Sequence, residues 1–121
     1  MSKSFGEWVK TRMLSEGSMG NFDLNDYIEK TSNLLHGMKM TPKIHCKSGL
    51  SLSVQAGDGR YSSPRDNEGP YDEVEVGYPS EEVSELMPYI ENPDDDPLES
   101  IYAYVPVKVV ETVVNKNGGL A

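Results

Sequence analysis

The chain has 121 residues, enough for one domain with its own core and too few for two ordinary ones. Twenty Asp and Glu against 11 Lys and Arg leave a net charge of −9, which argues against general binding to a phosphate backbone or an anionic membrane. The single cysteine, Cys46, excludes an internal disulfide and a multi-cysteine metal site; a domain of this size is expected to fold without a cofactor or a structural metal.

Residues 4–15 set Phe5, Trp8, Val9 and Arg12 at helical spacing. Residues 23–36 set Leu24, Tyr27, Ile28, Thr31, Leu34 and Leu35 on a second helical stripe, with Asp23 as its N-cap and Gly37 as its stop. Residues 1–39 therefore read as an N-terminal extension of two helices, which either packs on the rest of the chain or mediates self-association. From Met40 the period changes to two. Lys43-Ile44-His45-Cys46 and Leu50-Ser51-Leu52-Ser53-Val54 flank a Lys47-Ser48-Gly49 turn and predict a β-hairpin. Further strands are expected over residues 72–76 and 101–105. Between them, Ser80 is expected to cap a short helix carrying Val83, Leu86, Met87 and Ile90, interrupted near Pro88. Pro106 suits the first turn of a last helix bearing Val109, Val110, Val113 and Val114 and ending at Gly118-Gly119. Its valines leave an added strand as the alternative.

The fold class expected is α+β: a mainly antiparallel sheet of about four strands with short helices over residues 40–121, preceded by the two N-terminal helices. The connection over residues 57–71 is long enough to be either functional or disordered. The N-terminus lacks the apolar run of a signal peptide, and no stretch has the 18 or so consecutive apolar residues of a transmembrane helix, so a cytoplasmic protein is expected.

Charge is unevenly spread. Residues 58–99 hold 14 acidic residues against Arg60 and Arg65, whereas the rest of the chain is slightly basic. Like-charged runs serve solubility as solvated faces; the sharper reading is a surface that imitates nucleic acid and competes for a basic groove on another protein. The partner-binding residues on that reading are Glu73, Glu75, Glu81, Glu82 and Glu85.

Catalytic constellations are missing from the pattern. His45 and Cys46 are neighbours on a predicted strand and point to opposite faces, the wrong geometry for a thiolate and its base. Asn92-Pro93-Asp94-Asp95-Asp96-Pro97 lacks the spacing and distal Glu of a calcium loop, and Ala56-Gly57-Asp58-Gly59-Arg60 lacks the Lys-Ser or Lys-Thr of a nucleotide-binding loop. No catalytic residue and no metal ligand is assigned; a rival reading uses Asp66 and Glu68 beside Arg65 in a nucleotide hydrolase. Arg60-Tyr61-Ser62-Ser63-Pro64-Arg65, with Tyr71, forms a second candidate site. Arginines, hydroxyls and an aromatic face are the groups that hold a phosphate and stack on a base. The plainer reading is that both arginines neutralise neighbouring carboxylates.

Thr41-Pro42-Lys43-Ile44-His45-Cys46, Leu52-Ser53-Val54-Gln55-Ala56, Tyr61-Ser62-Ser63-Pro64-Arg65-Asp66, Val74-Glu75-Val76-Gly77-Tyr78-Pro79-Ser80 and Tyr102-Ala103-Tyr104-Val105-Pro106-Val107 resemble, in that order, a family of small proteins encoded by tailed bacteriophages. The resemblance spans roughly residues 40–119 and carries no established activity. It implies an accessory protein made in a bacterial cytoplasm and acting on the host, as proteins that antagonise antiviral defence do. The partner is then a host defence protein with a basic surface or, as the alternative, a sequestered nucleotide signal, with no direct nucleic-acid or membrane binding and with a homo-oligomer left open.

Overall fold

The computed structural model describes residues 21–121. The helix expected over residues 4–15 lies outside the described residues. Asp23 caps α1 (Leu24–Thr31), its carboxylate accepting the Asp26 N–H at 3.1 Å, and Leu24 and Ile28, four residues apart on one face, are buried. The helix ends earlier than its stripe predicts. Ser32 is extended, and residues 33–40 form a hairpin of β1 (Asn33–Leu35) and β2 (Met38–Met40) in the register Leu35↔Met38. His36 and Gly37 turn it with φ of 52° and 79°, the two left-handed residues of a type I′ connection. Gly37 is thus a turn residue and not a helix stop, and Leu34 and Leu35, expected on the buried stripe, are 66% and 58% exposed.

Four strands make the main sheet: β3 (Ile44–His45), β4 (Ser51–Gln55), β5 (Glu73–Gly77) and β6 (Ile101–Pro106), ordered β3-β4-β5-β6 with every neighbour antiparallel. The expected hairpin is β3–β4. Val54, Val76 and Tyr102 lie side by side across three strands, with Val74 opposite Val105, and this face is buried. Against it pack α1 and α2 (Val107–Lys116), the latter through Val110, Val113 and Val114. Residues 107–114 are therefore helical. Burying three valines on one face outweighs their intrinsic preference for strands. The Leu24 N–H donates to Glu111 Oε2 at 3.0 Å, and Leu24 and Ile28 belong to the same core as the sheet, so the described part of the N-terminal extension packs on the domain.

Ser80 does not cap a helix. It pairs with the start of β4, its N–H donating to Ser51 O at 2.8 Å and its Oγ accepting the Ser51 N–H at 2.9 Å. The 3₁₀ helix begins later, at Ser84–Tyr89, without a side-chain cap, and sends Leu86 into the core. A second 3₁₀ turn, Pro97–Glu99, leads into β6.

Both outer edges of this sheet are covered. Along β3, the chain end bridges Cys46 to Leu120, with Ala121 N–H donating to His45 O at 2.8 Å and Lys47 N–H to Gly119 O at 3.0 Å. On the far side, Ile90 bridges to Tyr102 and Glu91 N–H donates to Ile101 O at 2.9 Å. The β5–β6 register shifts between Val74↔Val105 and Val76↔Tyr102, so Glu75 faces two residues, and one of them, Tyr104, takes a φ of 52°.

Candidate functional site

Glu75 lies on the sheet face turned away from the helices, and the 57–71 connection folds over it. Its Oε1 accepts the Tyr61 N–H at 3.1 Å, and its Oε2 sits 4.0 Å from Arg60 Nη1, with both side chains 15% exposed. Arg60 Nη2 also reaches Lys39 O at 3.2 Å and the Met40 sulfur at 2.9 Å. Ser62 is fully buried; its Oγ accepts the Gly57 N–H and donates to Pro64 O, both at 3.0 Å. The Ser63 backbone pairs with Glu73. The Tyr71 hydroxyl donates to Asp66 O at 2.8 Å and accepts from Lys39 Nζ at 3.1 Å, beneath the surface. Of the six residues that could hold a nucleotide, Arg60, Ser62 and Tyr71 are thus engaged in tying the connection down. Tyr61 and Arg65 remain exposed.

Tyr61 packs beside Tyr104, ring centroids 5.8 Å apart. Hydrogen bonding to Glu91, and then that residue's charge, push the Tyr61 phenol above its ordinary pKa, with burial, Glu75 and Tyr104 adding to the effect. Tyr71 lines a cavity of about 370 Å³ shared with Asp23, Asp26, Glu29, Lys39 and Glu68. Lys39 is 9% exposed, donates to Asn67 O at 2.9 Å, and was not among the residues singled out by the sequence. Only the alternation of a strand over 38–40 could have pointed to it, and that signal was masked by the apparent helical stripe.

The five candidate partner-binding glutamates are divided by the fold. Glu73 is half-buried on β5 and Glu75 lies under the loop, whereas Glu81, Glu82 and Glu85 gather near the end of α2, around Lys116 and Asn117. Glu85 pairs with Lys116, whose hydrogen bond holds the carboxyl below its ordinary pKa. The next stretch carries more uncompensated charge. Glu91, Asp94, Asp95, Asp96 and Glu99 are all exposed, and none has an ion-pair partner among the described residues. Their backbone is fixed: Asn92 Oδ1 accepts the Asp94 N–H at 3.1 Å, Asp96 Oδ1 accepts the Leu98 N–H at 2.9 Å, Ser100 Oγ donates to Asp96 O at 2.7 Å, and the Tyr102 hydroxyl donates to Pro97 O at 2.6 Å. These carboxylates were visible in the sequence as part of the acidic segment, but the side-chain bonds that fix their backbone were not.

Cys46 is buried, which raises its thiol pKa, and His45 is exposed on the opposite side of the strand. Among the described residues no group of three or more His, Cys, Asp or Glu is placed to hold a metal ion. No helix among them is long and apolar enough to cross a membrane. Comparison with family models, curated proteins and solved structures returned no match.

Proposed function

We propose that the chain is a non-catalytic binding protein that docks its acidic surface on a basic, nucleic-acid-binding protein and occludes that protein's site. The observation that carries this reading is the 91–99 turn: exposed carboxylates, no ion-pair partners among the described residues, and a backbone held by four side-chain hydrogen bonds. Charges fixed in place attract a complementary groove without the ordering cost that a flexible acidic tail bears. The phage resemblance supports a host target, such as a nuclease of antiviral defence. The nucleotide reading draws less support, because Arg60 Nη1 and Nη2, the Ser62 hydroxyl and the Tyr71 hydroxyl are already engaged inside the protein, although Arg60 Nε is buried without a partner among the described residues, and the surrounding carboxylates repel an anionic ligand.

The test is affinity purification with the full chain from a bacterial host, followed by association kinetics on the recovered protein at rising salt. Association is expected to slow at least tenfold between low and high ionic strength, and the triple variant Asp94→Lys, Asp95→Lys, Asp96→Lys is expected to lose binding. A recovered nucleotide with no protein partner would refute the docking model, as would a partner indifferent to both salt and the triple variant.

A further inference from the structure

The hairpin arm ends in a strand edge that none of the described residues covers. In a two-residue hairpin the residues flanking the turn, Leu35 and Met38, exchange hydrogen bonds, so the Leu34 N–H and C=O point away from β2. Neither group has a partner among the described residues. The other exposed edges are dealt with: β2 gives Lys39 O to Arg60, β3 is lined by the chain end, and β6 by Ile90 and Glu91. Apart from its length of three residues, β1 lacks the other usual protections of an edge strand, since Asn33-Leu34-Leu35 contains no lysine, no proline and no bulge.

The side chains around that edge are apolar and in solvent. Leu34, Leu35, Met38 and Met40 are 66%, 58%, 41% and 39% exposed, four of nine such large side chains among the described residues, within one short hairpin. Charge then selects the occupant. Residues 30–57 contain no Asp or Glu, although the whole chain carries −9. Two copies repel through their acidic segments, but within residues 33–40 the one lysine, Lys39, is buried and held by Asn67 and Tyr71, so the hairpins meet with no carboxylate and no exposed ammonium between them, and apolar surface beside an unpaired edge is complementary to itself.

We propose that the chain forms a two-fold dimer by antiparallel pairing of β1 with β1 of a second copy. Leu34 stands opposite its own counterpart, each donating its N–H to the other's carbonyl, and Leu35 of each copy faces Asn33 of the other. The result is a four-stranded sheet, β2-β1-β1-β2, closed by its symmetry. The contact is small, so the dimer belongs to the micromolar range. It does not depend on the docking model, and the two respond oppositely to salt: screening weakens the attraction of carboxylates for a basic partner and relieves the repulsion between two acidic copies.

Sedimentation equilibrium of the full chain, from low micromolar to near-millimolar concentration, reads the result. The mass is expected to double from 13.4 kDa as concentration rises, at lower concentration when salt is added. Leu34→Lys is expected to hold the protein at monomer mass with its melting temperature unchanged, since the side chain is already in solvent. Leu34→Cys is expected to be joined to its counterpart by a short bifunctional thiol reagent, because the Cβ atoms of a hydrogen-bonded pair stand about 5.5 Å apart, close enough for a short linker though too far for a direct disulfide. Native Cys46, 3% exposed, stays out of that reaction, and Asp58→Cys serves as the exposed control. A monomer at every concentration, a dimer indifferent to Leu34→Lys, or cross-linking no faster at residue 34 than at residue 58 would overturn the proposal.

Discussion

Gln55, at the end of β4, uses one side-chain amide as a substitute strand. Its Oε1 accepts the Thr41 N–H at 2.9 Å and its Nε2 donates to Thr41 O at 2.8 Å, with a further bond to Ser53 Oγ at 3.1 Å. Gln55 is 8% and Thr41 4% exposed, so water has little access to either partner. Gln55→Met keeps the length of the side chain and removes both bonds. The Thr41 N–H and C=O are then left buried and unpaired, at about 1–3 kcal/mol each, for a total of roughly 2–6 kcal/mol. Against a whole-domain stability of about 5–15 kcal/mol this is a large fraction, equivalent to a melting temperature lower by about 10 °C or more. Gln55→Glu is expected to be worse at neutral pH, because a carboxylate can accept the N–H but turns its second oxygen toward the Thr41 carbonyl. It should recover partly in acid, where a protonated carboxyl donates again. Urea denaturation checks both, with the midpoint shifting and the slope unchanged. A loss under about 0.5 kcal/mol for Gln55→Met, the level of an ordinary surface change, would refute the reasoning by showing that the amide does not anchor the arm.

Gly57 has a φ of 132°, and a Cβ there would stand 2.5 Å from Asn67 Oδ1, which accepts the Asp58 N–H; Gly57→Ala is expected to cost about 1–3 kcal/mol in urea denaturation. Gly59→Ala, strained in φ but with its nearest neighbour 3.6 Å away, should cost less. Tyr102→Phe removes the bond to Pro97 O and is expected to cost about 1 kcal/mol while speeding amide exchange across the 91–99 turn. Acid titration tests the depressed carboxylates. Glu85, lowered from an ordinary 4.5 chiefly by Lys116, and Asp66, lowered from 3.8 by the Gly69 and Glu68 N–H groups, lend stability that is complete above those ordinary values and lost as pH falls through the lower folded ones. Glu85→Gln should therefore flatten the acid limb of a stability–pH curve and leave its alkaline limb unmoved.

The sheet and the last helix were legible because each has one face wet and one buried, so period two over Leu50–Val54 and a valine stripe over 109–114 report the real environment. The arm was not legible. Leu24, Ile28, Leu34 and Leu35 fit a helical stripe, yet only the first two are buried, and the turn signal at His36-Gly37 lacks the Asn or Asp that usually announces a type I′ hairpin. Ser80 misled for a similar reason, since its hydroxyl serves a backbone N–H in β4 and not a helix start, a choice fixed by tertiary pairing. At the candidate sites, the residue types suggested phosphate-binding groups, but their commitments depend on partners far along the chain: Arg60 on Lys39 and Glu75, Tyr71 on Asn25 and Lys39.

The strap of residues 117–121 along β3 has a bearing on how the molecule would fail. While it is in place, β1 is the bare edge that remains among the described residues, and, on the dimer proposed above, one self-complementary edge can only close a pair. Removing the strap would uncover the His45 carbonyl and the Lys47 N–H and give each copy a second, unlike docking edge. Two unlike edges on one body permit head-to-tail growth, so a few residues at the chain end separate a species of fixed size from an open-ended fibre.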